Sequence, residues 1–96
     1  MKAVKRIEIV LPKGQVEAVV AALDEGRNSG YTVIRDVLGR GERGLRSGGD
    51  LGVSDHHYIL IACSQDEAES IIETVRPILR RFGGVCLVSD AQWVIH

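Results

Sequence analysis

Ninety-six residues, 45% hydrophobic and 26% charged, fit one globular domain and exclude a disordered chain. A formal net charge of −1 excludes an overall pull towards nucleic acid or a membrane surface, so any anion recognition has to be local. Aromatic residues make up 4% of the chain, which leaves Val, Ile and Leu to fill a small core that gains from association into an oligomer.

The opening residues, MKAVKRIEIVLP, carry only a short apolar run broken by Arg6, Glu8 and Pro12, unlike a signal peptide or a membrane span. Residues 4 to 11 alternate, with Ile7, Ile9 and Leu11 on one side and Arg6 and Glu8 on the other, and predict a half-buried strand ended by Pro12 and Gly14. Over residues 15 to 25, Val16, Val19, Val20 and Leu23 keep the spacing of one helical face, and Gly26 follows as a C-cap. RNSG is a turn, and the β-branched YTVIRDVL (31 to 38) is a second strand. A long glycine and arginine segment interrupts the pattern until about Ser54.

HHYILIAC (56 to 63) is a nearly continuous apolar run and predicts a strand inside the sheet. Ser64 and Glu67 form a capping box for a helix starting at Gln65, with Ala68, Ile71, Ile72, Val75 and Leu79 on its apolar face. Pro77 removes an amide hydrogen and is expected to kink or loosen that helix near residues 73 to 76, before Gly83 and Gly84 stop it. VCLVSDAQWVI (85 to 95) is the last strand. Strand, helix, strand, loop, strand, helix, strand is the α+β ferredoxin-like βαββαβ order, with both helices on one face of an antiparallel sheet. The other face, with apolar residues on strands three and four, is costly to expose, and oligomerisation through it is the simplest remedy. Cys63 and Cys86 lie in apolar runs without CxxC or Cys/His spacing and read as buried free thiols, which suits the cytoplasm.

The segment LGRGERGLRSGGDLG, residues 38 to 52, holds six of the eleven glycines together with Arg40, Arg43 and Arg46. A loop of about fifteen residues inside a small domain is functional or disordered more often than a mere connection. Glycine lets the backbone approach a ligand and aim several N–H groups into one concavity, and arginine brings a planar fork matched to phosphate or carboxylate. An anion cradle and a solvated surface loop stay about even on this chemistry alone. The segment is neither a Walker A loop, lacking G-K-[ST], nor a dinucleotide fingerprint, since no helix follows G-R-G-E-R-G. Asp55, His56 and His57 bring at most one ring to any one face of a strand, and Thr32, Ser47 and Ser54 have no base at a recognisable spacing. No enzyme signature and no metal site emerges.

The chain resembles the PII-like signal-transduction superfamily along nearly its whole length, residues 1 to 96 reading as a single domain. GVCLVSDAQWVIH is similar to that family's closing strand, G-[apolar]-x-x-V-x-[acid]-x-Q-x-V-I-R, and GYTV at 30 to 33 to the entry of its second strand. GRGERGLRSGG, residues 39 to 49, follows the G-x-G-x-R-x-x-R-S-x-G pattern of the bicarbonate-associated branch, SbtB and the carboxysome-associated PII proteins. The resemblance implies a homotrimer with adenine nucleotide bound in the clefts between subunits and a T-loop, here about 39 to 54, whose conformation answers to the ligand.

By the same resemblance, Gly39 and Gly41 would let the backbone approach the nucleotide, Arg43 and Arg46 would pair with phosphates, and Ser47 would add a hydroxyl. Thr32 would lie near the base, with Gly83 and Gly84 in the second, phosphate-facing loop. Gly41, Arg43, Gly44 and Arg46 would meet bicarbonate or another small anion. The T-G-x-x-G-D-G-K stretch of the nitrogen-regulatory members is reduced to RRFGGV, with Val85 in place of its lysine. No tyrosine stands between 39 and 52, and His96 replaces an arginine. The cysteine-containing C-terminal extension of many SbtB proteins is also absent. Fewer cations favour AMP or ADP, with ATP or cyclic AMP as alternatives. The implied function is a non-enzymatic cytoplasmic regulator of inorganic-carbon metabolism, acting on a bicarbonate transporter or carboxysome-linked partner. The alternative is a ferredoxin-like protein-interaction module with no small ligand.

Overall fold

The computed structural model describes residues 1–26, 30–41, 44–45 and 55–96. Strand β1 (Lys2–Pro12) leads through a short 3-10 turn (Lys13–Gln15) into helix α1 (Val16–Glu25), and β2 (Tyr31–Val37) follows. Two short strands, β3 (Arg40–Gly41) and β4 (Gly44–Leu45), precede β5 (His56–Cys63), helix α2 (Gln65–Phe82) and β6 (Val85–Trp93). The main sheet has the order β2-β5-β1-β6, with every neighbouring pair antiparallel. It is the ferredoxin-like arrangement, and β5 lies inside the sheet as its continuous apolar run predicts.

Alternation along the strands decides which side is covered. Ile7, Ile9 and Leu11 of β1 stand opposite Ile61, Ile59 and His57 of β5, and all five aliphatic side chains are fully buried. Val16, Val19 and Leu23 of α1 and Ala68, Ile71 and Val75 of α2 close over them. Each such aliphatic side chain contributes roughly 1.5–3 kcal/mol when withdrawn from water. The opposite face carries Arg6, Glu8 and Val10 of β1, Tyr58, Leu60 and Ala62 of β5, and Thr32 and Ile34 of β2, with no helix over it among the described residues.

Helix α2 begins where the capping box requires. The Ser64 hydroxyl accepts the Glu67 N–H at 3.2 Å, and the Glu67 carboxylate accepts the Ser64 N–H at 3.4 Å. Pro77, expected to kink or loosen the helix, lies within an unbroken α2. Pro77 and Glu73, whose carbonyl loses its usual partner, both face solvent, while Val75 on one side and Ile78 and Leu79 on the other hold the two halves against the core. Towards the C-terminus, β6 stops at Trp93, and Val94 and Ile95, expected to belong to it, continue beyond it, exposed. Gly26 closes α1, in the right-handed conformation, its N–H donating to the Ala22 carbonyl.

Candidate functional site

The root of the glycine and arginine segment is the most irregular part of the sheet. Pairing of β2 with β5 runs regularly from Tyr31 opposite Ile61 to Ile34 opposite Tyr58, then resumes with Val37 opposite His56. Three steps along β2 thus match two along β5, a bulge with one extra residue. Asp36 absorbs it with φ 59, the left-handed region that side chains with a Cβ rarely enter. Its N–H leaves the strand ladder and is donated to His57 Nδ1 at 3.1 Å. Beyond the bulge, Arg40 pairs with Leu45 and Gly41 with Gly44, so part of the stretch expected to be unbroken loop is a two-residue ribbon.

The far end of the same segment is also fixed. The Asp55 carbonyl accepts the Lys13 N–H at 2.7 Å, and the Asp55 carboxylate meets His56 Nδ1 at 2.5 Å. As alternation predicts, His56 and His57 face opposite sides, one opposite Pro12 and the other opposite Leu11 on the helix-covered side. Among the described residues, no group of three His, Cys, Asp or Glu side chains is placed to hold a metal ion.

The residues singled out for ligand binding fall into separate places. Thr32, opposite Leu60, is exposed on the uncovered sheet face. Gly39 follows the bulge, and Gly41 and Gly44 face each other in the ribbon. Arg43, Arg46 and Ser47 lie outside the described residues. Gly83 and Gly84 form the turn from α2 into β6, with φ 83 and φ 123. The ends of β2 and β5 that carry the loop root, and the start of β6, lie at the same end of the sheet, since Val37 pairs with His56, His56 with Pro12, and Val85 with Val10. Across the sheet they are on opposite edges, three strand spacings or about 14 Å apart.

Sequence patterning did not single out the polar cluster on the uncovered face. Tyr58 donates to Glu8 Oε2 at 2.9 Å, Arg6 Nε lies 3.4 Å from Glu8 Oε1, and the same Nε donates to Ser89 Oγ at 3.2 Å. Three strands contribute, so only their register, Glu8 between Leu60 and Leu87 and Arg6 between Ala62 and Ser89, reveals the grouping. Burial and the hydrogen bond to Glu8 push the Tyr58 phenol up from its ordinary value. Lys5 and Asp90 form an ion pair farther along β1 and β6. Cys63 is buried and Cys86 half-buried, both free, and burial raises both thiols. That leaves little thiolate near neutral pH.

No helix among the described residues is long and apolar enough to cross a membrane. Comparison with solved structures gives close matches in fold. CPII, a nitrogen regulatory PII-like protein from Thiomonas intermedia K12 bound to ADP, AMP and bicarbonate, matches with a TM-score of 0.83 and 25% identity, over 95% of this chain and 88% of that one. The same protein bound to ADP and bicarbonate matches with a TM-score of 0.83 and 26% identity, again over 95% and 88%. A PII-like signalling protein from Thermus thermophilus matches at a TM-score of 0.71 and 19% identity, over 98% and 90%, which speaks for the fold alone. No curated protein matches the chain by sequence. The family model described as Nitrogen regulatory protein P-II matches residues 4–95. With its bulged, glycine-rich connection between β2 and β5 and its β2-β5-β1-β6 sheet, the chain belongs to the P-II family, as a PII-like member similar to CPII.

Proposed function

We propose that the chain is a non-enzymatic regulator that binds AMP or ADP, together with bicarbonate, in a cleft between copies of itself. The observation that carries this reading is the match to CPII at a TM-score of 0.83, since that protein binds ADP, AMP and bicarbonate. The placement of the candidate residues agrees with it. Thr32 and the loop root sit at one edge of the sheet and Gly83 and Gly84 at the other. A nucleotide reaching both sets within one chain would have to span about 14 Å across two intervening strands. A neighbouring copy laid against the uncovered face can bring its edge to the opposite edge of the first, and the homotrimer with three clefts that the family resemblance implies would supply such a contact.

In such a cleft Gly39 and Gly41 offer backbone N–H groups, and Arg43 and Arg46 offer guanidinium forks to the phosphates or to bicarbonate, with Gly44 and Ser47 beside them. Val85 begins β6 half-buried opposite Val10, so it brings no charge to the turn. Two or fewer phosphates suit that charge count better than three. Ligand then sets the conformation of residues 39–54, and a transporter or carboxysome-linked partner of inorganic-carbon metabolism reads it in the cytoplasm.

Calorimetry with AMP, ADP and ATP, with and without bicarbonate, tests the proposal directly. Saturable binding of AMP or ADP is expected, and Arg43→Ala and Arg46→Ala should each weaken it at least about tenfold, the worth of a lost charge-assisted hydrogen bond. Absence of heat with all three nucleotides would leave the protein-interaction module in its place.

A further inference from the structure

We propose that His57 is a positioning residue for the nucleotide site, a proton-operated latch that holds the loop root in register only while its ring is neutral. The proposal rests on the nucleotide-binding reading above and extends it to regulation by pH.

The geometry turns on one atom. His57 Nδ1 lies 3.1 Å from the Asp36 N–H and 3.0 Å from the carbonyl oxygen of His56. A ring nitrogen cannot serve both. With the ring proton on Nε2, Nδ1 is an acceptor and takes the Asp36 N–H. Once the ring is doubly protonated, Nδ1 carries a hydrogen, donates it to the His56 carbonyl, and has no lone pair left to accept the Asp36 N–H. Protonation therefore moves Nδ1 from a bond across the strands to a bond within β5, and Asp36 loses its partner.

Asp36 is the residue least able to spare it. Its φ of 59 and the extra residue of the bulge are held against the ordinary preference of a residue with a Cβ. Gly39 lies three residues on and Gly41 five, the first of the proposed ligand groups. A released bulge lets β2 return towards regular pairing, which shifts everything beyond it by one position and turns it to the other side.

Ionisable groups stand around His57 on several elements. On the helix-covered side its cleft is lined by Lys13 and Glu17 from the start of the α1 segment and by Arg35 from β2. The Asp36 N–H meets it from β2, and Asp55 and His56 precede it along the chain, those two already joined through His56 Nδ1 and the Asp55 carboxylate. Leu11 stands opposite it on β1 and carries no charge. Carboxylates as a class titrate near pH 4 and lysine and arginine above pH 10, so among the side-chain types around this site imidazole alone is a class whose charge changes between about pH 8 and 5.5.

Measuring ADP affinity at pH 8.0 and 5.5 for the wild type, His57→Asn and His57→Leu tests this. The Asn amide oxygen stands in for Nδ1 as an acceptor and cannot be protonated. His57→Asn should match the wild type at pH 8.0. On acidification the wild type should lose about tenfold more affinity than His57→Asn, the worth of one backbone hydrogen bond. His57→Leu should be weak at both pH values. The nucleotide's own phosphate also titrates near pH 6, but it does so equally for every variant. Equal acid losses in the wild type and His57→Asn would overturn the latch. A second readout needs no ligand: the Asp36 amide, followed by NMR hydrogen exchange, should lose protection on acidification in the wild type and keep it in His57→Asn. Unchanged protection in the wild type would also overturn the latch, whereas a wild type that binds no nucleotide at pH 8.0 would overturn the functional reading instead.

Discussion

Gly84 is fixed by its surroundings before any ligand is considered. A Cβ placed there would lie 2.3 Å from the Val10 carbonyl oxygen and 3.0 Å from Leu79 Cδ2, at a φ of +123. Backbone atoms cannot yield as a side-chain tip does, and the left-handed φ adds its own strain. Gly84→Ala should therefore cost about 3 kcal/mol in urea unfolding. Gly14, where an added Cβ would meet nothing within 4 Å, is the matched control, and Gly14→Ala should stay within about 0.5 kcal/mol of the wild type. The resemblance assigns Gly84 to phosphate binding, and the α2–β6 turn gives it a packing role as well. A substitution there mixes folding with affinity, which leaves Arg43 and Arg46 as the cleaner probes of the ligand.

At the scale of elements, legibility follows from how local the cause is. The start of helix α2 could be placed to the residue because Ser64 and Glu67 are three apart and act on each other's N–H groups. Ser64→Ala removes one half of that box and should lower stability by about 1 kcal/mol, with Ser64→Asp recovering most of it, as thermal unfolding would show. The strands β1 and β5 are legible for the same reason, their alternation or continuity being set by which faces they bury. The loop root is not. Asp36 adopts φ 59 in a bulge where its N–H is donated to His57, 21 residues away in sequence, and nothing in YTVIRDVL shows that an extra residue is accommodated there. The ribbon of Arg40–Gly41 with Gly44–Leu45 is equally hidden, since glycine-rich sequence carries no side-chain alternation to read. Pro77 is the reverse case: a strong local signal for a break is outweighed by core contacts on both sides of it.

At the scale of the whole molecule, the proposed function makes the uncovered sheet face the place where assembly and binding would meet. Leu87 is 58% exposed, Ile34 52% and Trp93 50%, and all three share that face with half-buried Leu60 and Val10. Apolar surface of this kind in so small a chain would gain from a second copy laid over it, as the proposed function requires. The polar cluster of Arg6, Glu8, Tyr58 and Ser89 in its midst is joined by its own hydrogen bonds and ion pair, so a copy covering it has chiefly the terminal guanidinium nitrogens of Arg6 to satisfy. Leu87→Asp places a charge in the proposed contact without touching the helix-side core. It should convert a trimer to monomers in sedimentation velocity while circular dichroism keeps the α+β signature. Nucleotide binding should disappear with the trimer, because one chain holds its two candidate sets about 14 Å apart on opposite sheet edges. A monomeric Leu87→Asp protein that still binds ADP with wild-type affinity would place the site within a single chain, and the turn at Gly83 and Gly84 would then have no part in it.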